Sequence, residues 1–199
     1  MKTLLDWPPA YNFVQNLLRG PDFYKEWVAK YIRPSDPCRI LDLGCGPGVL
    51  LPHLPPSCSY VGLDSHPKYI EAARKQYGNR AEFVCQTIES HSASEPGGFD
   101  RSTACGVLHH LRDSEALHML NLAKTYIKPR GWLVTLDGGF APEQSPFARI
   151  LLQLDRGRYI RSAPEYAALA HQVYSEVKVS VRHDMFRFPY TCVVMECLP

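Results

Sequence analysis

Arg39-Ile40-Leu41-Asp42-Leu43-Gly44-Cys45-Gly46-Pro47-Gly48 reads as an apolar strand that ends in an acid and runs into a turn with three glycines. Ile40, Leu41 and Leu43 suit a strand buried on both faces, as in a parallel sheet. Glycine has no Cβ, so Gly44, Gly46 and Gly48 would let a ligand approach the backbone. A helix starting near Val49 would turn its free N–H groups toward that ligand. Tyr60-Val61-Gly62-Leu63 reads as a second strand, and it ends in Asp64. That carboxylate stands twenty residues beyond Gly44, where a ribose diol is held in doubly wound nucleotide-binding folds.

Spacing separates two cofactor classes. The dinucleotide pattern G-x-G-x-x-G/A, counted from Gly44, needs a small residue where this chain has Val49. What stands there is Asp-x-Gly-x-Gly-x-Gly, residues 42–48, which resembles motif I of the class I S-adenosylmethionine (SAM)-dependent methyltransferases. Leu108-His109-His110-Leu111 resembles the LHHL signature of the small-molecule group that includes ubiquinone/menaquinone-biosynthesis-type enzymes. Together the matches cover roughly residues 38–137. The resemblance implies a three-layer, Rossmann-like doubly wound α/β sheet of seven strands, ordered 3-2-1-4-5-7-6, with strand 7 antiparallel. It implies SAM as cofactor and S-adenosylhomocysteine as product. It also places the cofactor against Asp42, Gly44, Cys45, Gly46, Gly48, Asp64 and Ser65. The acid that commonly accepts from the adenine amino group is replaced here by Thr87, with Ile88 and Glu89 following. Cys105 and His110 are expected near the methionyl end.

Composition sets bounds on the rest. A chain of 199 residues with ordinary apolar content is expected to form a single domain over 1–199. A net charge of +2 gives no global case for nucleic-acid or membrane binding. Met1 to Asp6 carry one lysine and no long apolar run, so neither a signal peptide nor a membrane span is expected, and the cytoplasm is the expected compartment. The seven cysteines are scattered and form no C-x-x-C pair, so free buried thiols are expected rather than a zinc site or a disulfide framework. A monomer or a homodimer is expected.

Along the chain, residues 8–33 look helical in two pieces broken at Gly20-Pro21, and the Tyr11 ring is a candidate to close over the sulfonium of SAM. A helix over 67–77, a third strand over 81–85, a fourth over 99–104 and a helix opening at Asp113-Ser114-Glu115 follow. Pro129-Arg130-Gly131 is expected to turn into a fifth strand over 132–137. Residues 163–174 read as a helix, and 177–181 and 191–197 as two closing antiparallel strands.

Residues 138–162 depart from a minimal fold. Phe147, Ile150, Leu151 and Leu154 fall at helical spacing, and Arg149, Arg156, Arg158 and Arg161 share the segment. One expectation is a lid over the acceptor site, hinged at Gly138-Gly139, whose arginines bind an anionic acceptor. The plain alternative is a surface helix with a solvated basic side.

Methyl transfer from a sulfonium is an in-line displacement with a neutral leaving thioether. Alignment and a dry site can supply most of the acceleration, and no metal is demanded. An oxygen or nitrogen acceptor still needs a base, and His109 and His110 are the candidates. Enzymes acting on exocyclic base nitrogens usually carry an N/D-P-P-Y/F run after strand four. This chain has Cys105-Gly106-Val107-Leu108, so a small molecule is expected as acceptor. The rivals are a methyltransferase-fold binding or regulatory protein and an NAD-linked oxidoreductase.

Overall fold

The computed structural model describes residues 19, 22–87, 97–155 and 157–199. Tyr11, Ile88, Glu89 and Arg156, and the first predicted helical piece, lie outside the described residues.

The strand β1 (Arg39–Leu43) sits mid-sheet because it is apolar on both faces. Ile40 joins one hydrophobic cluster with Trp27, Tyr60 and Ile70, while Leu41 and Leu43 join the other with Leu63, Leu120 and Leu133. This alternation makes the three layers. Helix α1 (Phe23–Trp27), its π-helical continuation Val28–Ile32, and α2 (Pro67–Tyr77) cover one face. Helices α3 (Asp113–Tyr126) and α5 (Ala163–Ala170) cover the other. Each fully buried leucine of β1 contributes roughly 1.5–3 kcal/mol.

The remaining strands are β2 (Ser59–Asp64), β3 (Glu82–Cys85), β4 (Phe99–Cys105), β5 (Ile127–Phe140), β6 (Arg161–Ser162), β7 (Glu176–Arg182) and β8 (Cys192–Leu198). Their order is β3-β2-β1-β4-β5-β8-β7, with the two-residue β6 beside the end of β5. Strands β1 to β5 pair in parallel, and β8 runs antiparallel between β5 and β7. With β6 set aside, this is the expected order. β2 and β3 lie to one side of β1 while β4 and β5 lie to the other, so the strand order reverses between β1 and β4 and their carboxyl ends flank the crevice where such folds bind ligands.

Four expectations are corrected. No α-helix follows the glycine turn; Pro52, Pro55 and Pro56 lack the amides a helix needs, and only a 3₁₀ turn, Leu51–His53, forms. Pro129-Arg130-Gly131 lies inside β5, at a shift of register between the Phe99–Ile127 and Arg101–Trp132 pairs. Gly138 and Gly139 are no hinge: Gly138 pairs with Cys192, and the Gly139 amide donates to Thr191 O at 3.1 Å. Helix α4 (Pro146–Gln153) exists, capped by Ser145, but it buries Ala148 and Leu152. Phe147, Ile150 and Leu154 are 54%, 51% and 75% exposed, so the predicted apolar stripe faces outward.

Candidate active site

The glycine turn is held from inside. The Gly44 and Cys45 amides both donate to Leu63 O, at 2.7 and 3.0 Å, and the Gly48 amide donates to Cys45 O at 3.1 Å. The Gly46 amide donates to Asp64 Oδ2 at 2.8 Å. With these amides spent, the turn has acceptor capacity left for a ligand. A pyrophosphate needs donors and is poorly served here, whereas an ammonium is well served. Gly44 and Gly48 have φ of 72° and 76°, and their missing side chains also make room for the protein itself. A methyl carbon on Gly44 would come within 2.5 Å of Val107 Cγ2, and one on Gly48 within 3.0 Å of the Phe83 and Tyr77 rings.

Asp64 ends β2 half-buried. Its Oδ1 accepts from the His66 amide at 2.7 Å and its Oδ2 from Gly46, and each oxygen keeps a further lone pair. Burial pushes its carboxyl up, against the pull of these two amides. Asp42 is buried beneath the turn and accepts from Tyr60 Oη at 2.6 Å. Burial raises its pKa from 3.8 to about 7, opposed by the Tyr60 hydroxyl. The folded state thus holds this proton more tightly than the unfolded state does. The resulting stability is complete below about pH 4 and is lost as pH rises toward 7. Asp42→Asn should flatten that part of a plot of Tm against pH; an equally steep fall in the variant would assign it to other groups.

Arg19 belongs to no motif in the sequence; only the adjacent Gly20-Pro21 break marks its neighbourhood. Its guanidinium lies over the rings of Phe23 and Tyr24, at 4.9 and 5.3 Å, and hydrogen-bonds the Tyr24 hydroxyl. Its charge acts on Asp42, Cys105 and His109. Cys105 is half-buried, and Ser65 and Thr87 are exposed at the ends of β2 and β3.

The LHHL run forms a 3₁₀ turn, Leu108–His110. At three residues per turn, adjacent histidines cannot share a direction. His109 is the buried one. Its Nδ1 lies 2.8 Å from Asp137 Oδ1, and its backbone amide donates to the same oxygen at 3.1 Å. Asp137, on β5, is 1% exposed. His109 Nε2 lies 3.7 Å from Asp155 Oδ1. Burial pulls the imidazole pKa down, but the bond to Asp137 and the charges of Asp137 and Asp155 outweigh it, so the net direction is up. A Cβ on Gly106 would come within 3.6 Å of His109 Cε1, and the next residue, Val107, touches Gly44. The turn that carries the imidazole therefore abuts the glycine turn through Val107. Asp137 is likewise outside every motif read from the sequence, though an acid at the carboxyl end of a central strand is itself a signal.

His110, expected at the methionyl end, is exposed instead. It lines an open depression with Arg112, Glu115, Arg158 and Tyr159. Arg161, expected to bind substrate, is buried. It donates to Asp113 Oδ1 at 2.6 Å and to the carbonyls of Leu108, Leu111 and Tyr159 at 2.8–3.0 Å. These bonds brace the LHHL turn and leave little for a ligand. Arg149 is exposed, 5.8 Å from the Phe140 ring, on the outer helix α4.

The site is thus a glycine turn after β1, an acid ending β2, His109 in the turn after β4 and Asp137 within β5, on one doubly wound sheet. Residues 40–131, a little under half of the chain, match the methyltransferase domain family, and this match together with the similar proteins below supports a class I SAM-dependent methyltransferase domain. The ubiquinone biosynthesis O-methyltransferase of Chromobacterium violaceum is 30% identical over 99 residues, 48% of this chain and 42% of that protein. The Vibrio campbellii enzyme of the same name is 31% identical over 97 residues, 47% of this chain and 40% of that protein. The chain thus spans under half the length of the curated relatives it matches. Among solved structures, mitomycin 7-O-methyltransferase MmcR superposes with a TM-score of 0.73 at 22% identity, over 96% of this chain and 56% of that one. A SAM-dependent methyltransferase from Aquifex aeolicus gives 0.66 at 16% identity, over 96% and 97%. Among the described residues, no helix is long and apolar enough to cross a membrane.

Proposed function

We propose that this chain transfers a methyl group from SAM to an oxygen of a small acceptor, with His109 as the base that takes the acceptor's proton. The observation that carries this is the 2.8 Å contact of His109 with Asp137, in a turn that abuts the glycine cradle. The carboxylate fixes the Nδ1–H tautomer and leaves Nε2 as the working nitrogen. Oxygen is favoured over nitrogen by the names of the O-methylating relatives.

The residues present fit the cofactor. The turn's spent amides and remaining carbonyls suit an ammonium, Arg19 supplies a cation for a carboxylate, and the free lone pairs of Asp64 suit a ribose diol. Gly44, Cys45, Gly46, Gly48, Asp64, Ser65, Thr87 and Cys105 remain the proposed cofactor positions, with Asp42 beneath them. When bound, SAM supplies an electrophilic methyl on sulfur. The chain's own work is to align the acceptor, keep water out and hold its proton. Arg158 brings positive charge to the depression beside His109, where the charge of Arg112 is met by Glu115 at 2.8 Å, and this supports an anionic group on the acceptor.

S-adenosylhomocysteine should raise Tm and NAD should not. A screen of small acceptors with methyl-labelled SAM would then identify the product by mass. Stabilisation by NAD alone would overturn the cofactor assignment. Asp64→Ala should weaken S-adenosylhomocysteine binding by about tenfold or more, because charge-assisted bonds to the ribose are lost. Calorimetry on the folded variant reads this directly, and unchanged affinity would remove Asp64 from the site.

A further inference from the structure

We propose that Asp155, held by Tyr190, is a positioning residue for His109 that caps Nε2 of the imidazole until an acceptor takes its place. This rests on the reading of His109 as the base.

The geometry is built from three elements. Asp137 on β5 takes the Nδ1 side of His109, and Asp155, just past α4, faces Nε2 at 3.7 Å. Asp155 is itself fixed twice: Tyr190 Oη donates to its Oδ2 at 2.7 Å, and the Gly157 amide donates to its Oδ1 at 2.8 Å. The chain then ties down over the histidine, with the Tyr159 amide donating to His109 O at 2.9 Å. Two glycines make the closure sterically feasible. A side chain on Gly157 would strike the His109 ring, and one on Gly138 would strike the Tyr190 hydroxyl. The Asp155 side chain is one-quarter exposed, so an incoming molecule can reach it.

Protonation follows from this placement. A neutral imidazole that donates from Nδ1 to Asp137 carries a lone pair on Nε2. A carboxylate facing a lone pair repels it, and one facing an N–H attracts it. The capped arrangement therefore favours a proton on Nε2, and an imidazolium cannot act as a base. An acceptor hydroxyl that reaches Nε2 displaces Asp155, and the Nε2 proton is released to bulk water. The acceptor's own proton then passes to Nε2 as its oxygen gains the methyl group. Among the described residues, the other charged or titratable groups facing His109 are Arg19, whose charge opposes its protonation, and the adjacent His110, with ring centroids 4.1 Å apart.

The test is an NMR titration of the His109 imidazole in the S-adenosylhomocysteine complex, in wild type, Asp155→Asn and Tyr190→Phe. The asparagine side chain in Asp155→Asn would still accept from the Gly157 amide through Oδ1, and its amide N–H would donate to Tyr190 Oη in place of the present bond, while the charge is lost. The midpoint should fall by about 0.7 pH unit or more in Asp155→Asn, and by less in Tyr190→Phe. With an acceptor in hand, the acid limb of kcat against pH should move the same way while the alkaline plateau holds. A lower Tm with an unmoved His109 midpoint in both variants would make Asp155 purely structural and overturn the proposal. Full turnover in His109→Asn would instead overturn the base assignment, whatever the titration shows.

Discussion

His109→Asn is expected to cut turnover by roughly a hundred- to ten-thousand-fold, the range of a lost general base, while S-adenosylhomocysteine affinity stays near wild type. Asparagine is the informative replacement because its amide can donate to Asp137 much as Nδ1 does. Alanine would strand a carboxylate that is 1% exposed, and that desolvation penalty would mix a stability loss into the kinetics. Asp137→Asn should also lower turnover, because an amide can favour the wrong tautomer and no longer supports the imidazolium. The two variants act on one unit, so the double variant should be little worse than His109→Asn alone. Additive losses would mean that Asp137 works somewhere other than through His109. An acceptor acidic enough to ionise unaided should be the least affected by either change, which gives an independent check on the base role.

The fold was legible because its decisive features are local. Ile40, Leu41 and Leu43 in one short run announce a strand covered on both sides, and the spacing from Gly44 to Asp64 fixes the next strand beside it. What was not legible depends on which parts of the chain meet. Asp137 and Asp155 come 28 and 46 residues after His109, and nothing local in either marks it as a partner of an imidazole. Arg161 looked like a substrate cation because its charge is visible in the sequence, whereas its partners Asp113, Leu108 and Leu111 are brought to it only by folding. In α4 the period revealed an apolar stripe correctly, but periodicity cannot say whether that face is buried. Ala148 and Leu152 make the inward contact instead, and Leu152 approaches the bare backbone of Gly138. The direction of each histidine was not legible for a phase reason. A 3₁₀ turn sets the direction of each side chain, and the Asp137 contact decided which of the two points in.

Gly44→Ala is expected to damage both halves of the site at once. At φ of 72° any side chain is strained, and the new methyl would come within 2.5 Å of Val107 Cγ2. Strain and overpacking together should cost about 2–4 kcal/mol. For a chain of this size that corresponds to a fall in Tm of roughly 4–16 °C. Val107 stands two residues before His109, so pushing it away should also disturb the imidazole and lower turnover beyond the loss of cofactor affinity. Val107→Ala alone should be mild, since that side chain is only half-buried. Gly44→Ala combined with Val107→Ala removes the clash but not the strain, so stability should recover in part, with a coupling of about 0.5–3 kcal/mol. S-adenosylhomocysteine affinity is the discriminating readout. If it recovers along with stability, the alanine was harming the site by displacing the wall that carries Val107. If stability recovers and affinity does not, the methyl group or the strained turn itself excludes the cofactor. A double variant whose losses simply add would show that Val107 is not the group Gly44 makes room for.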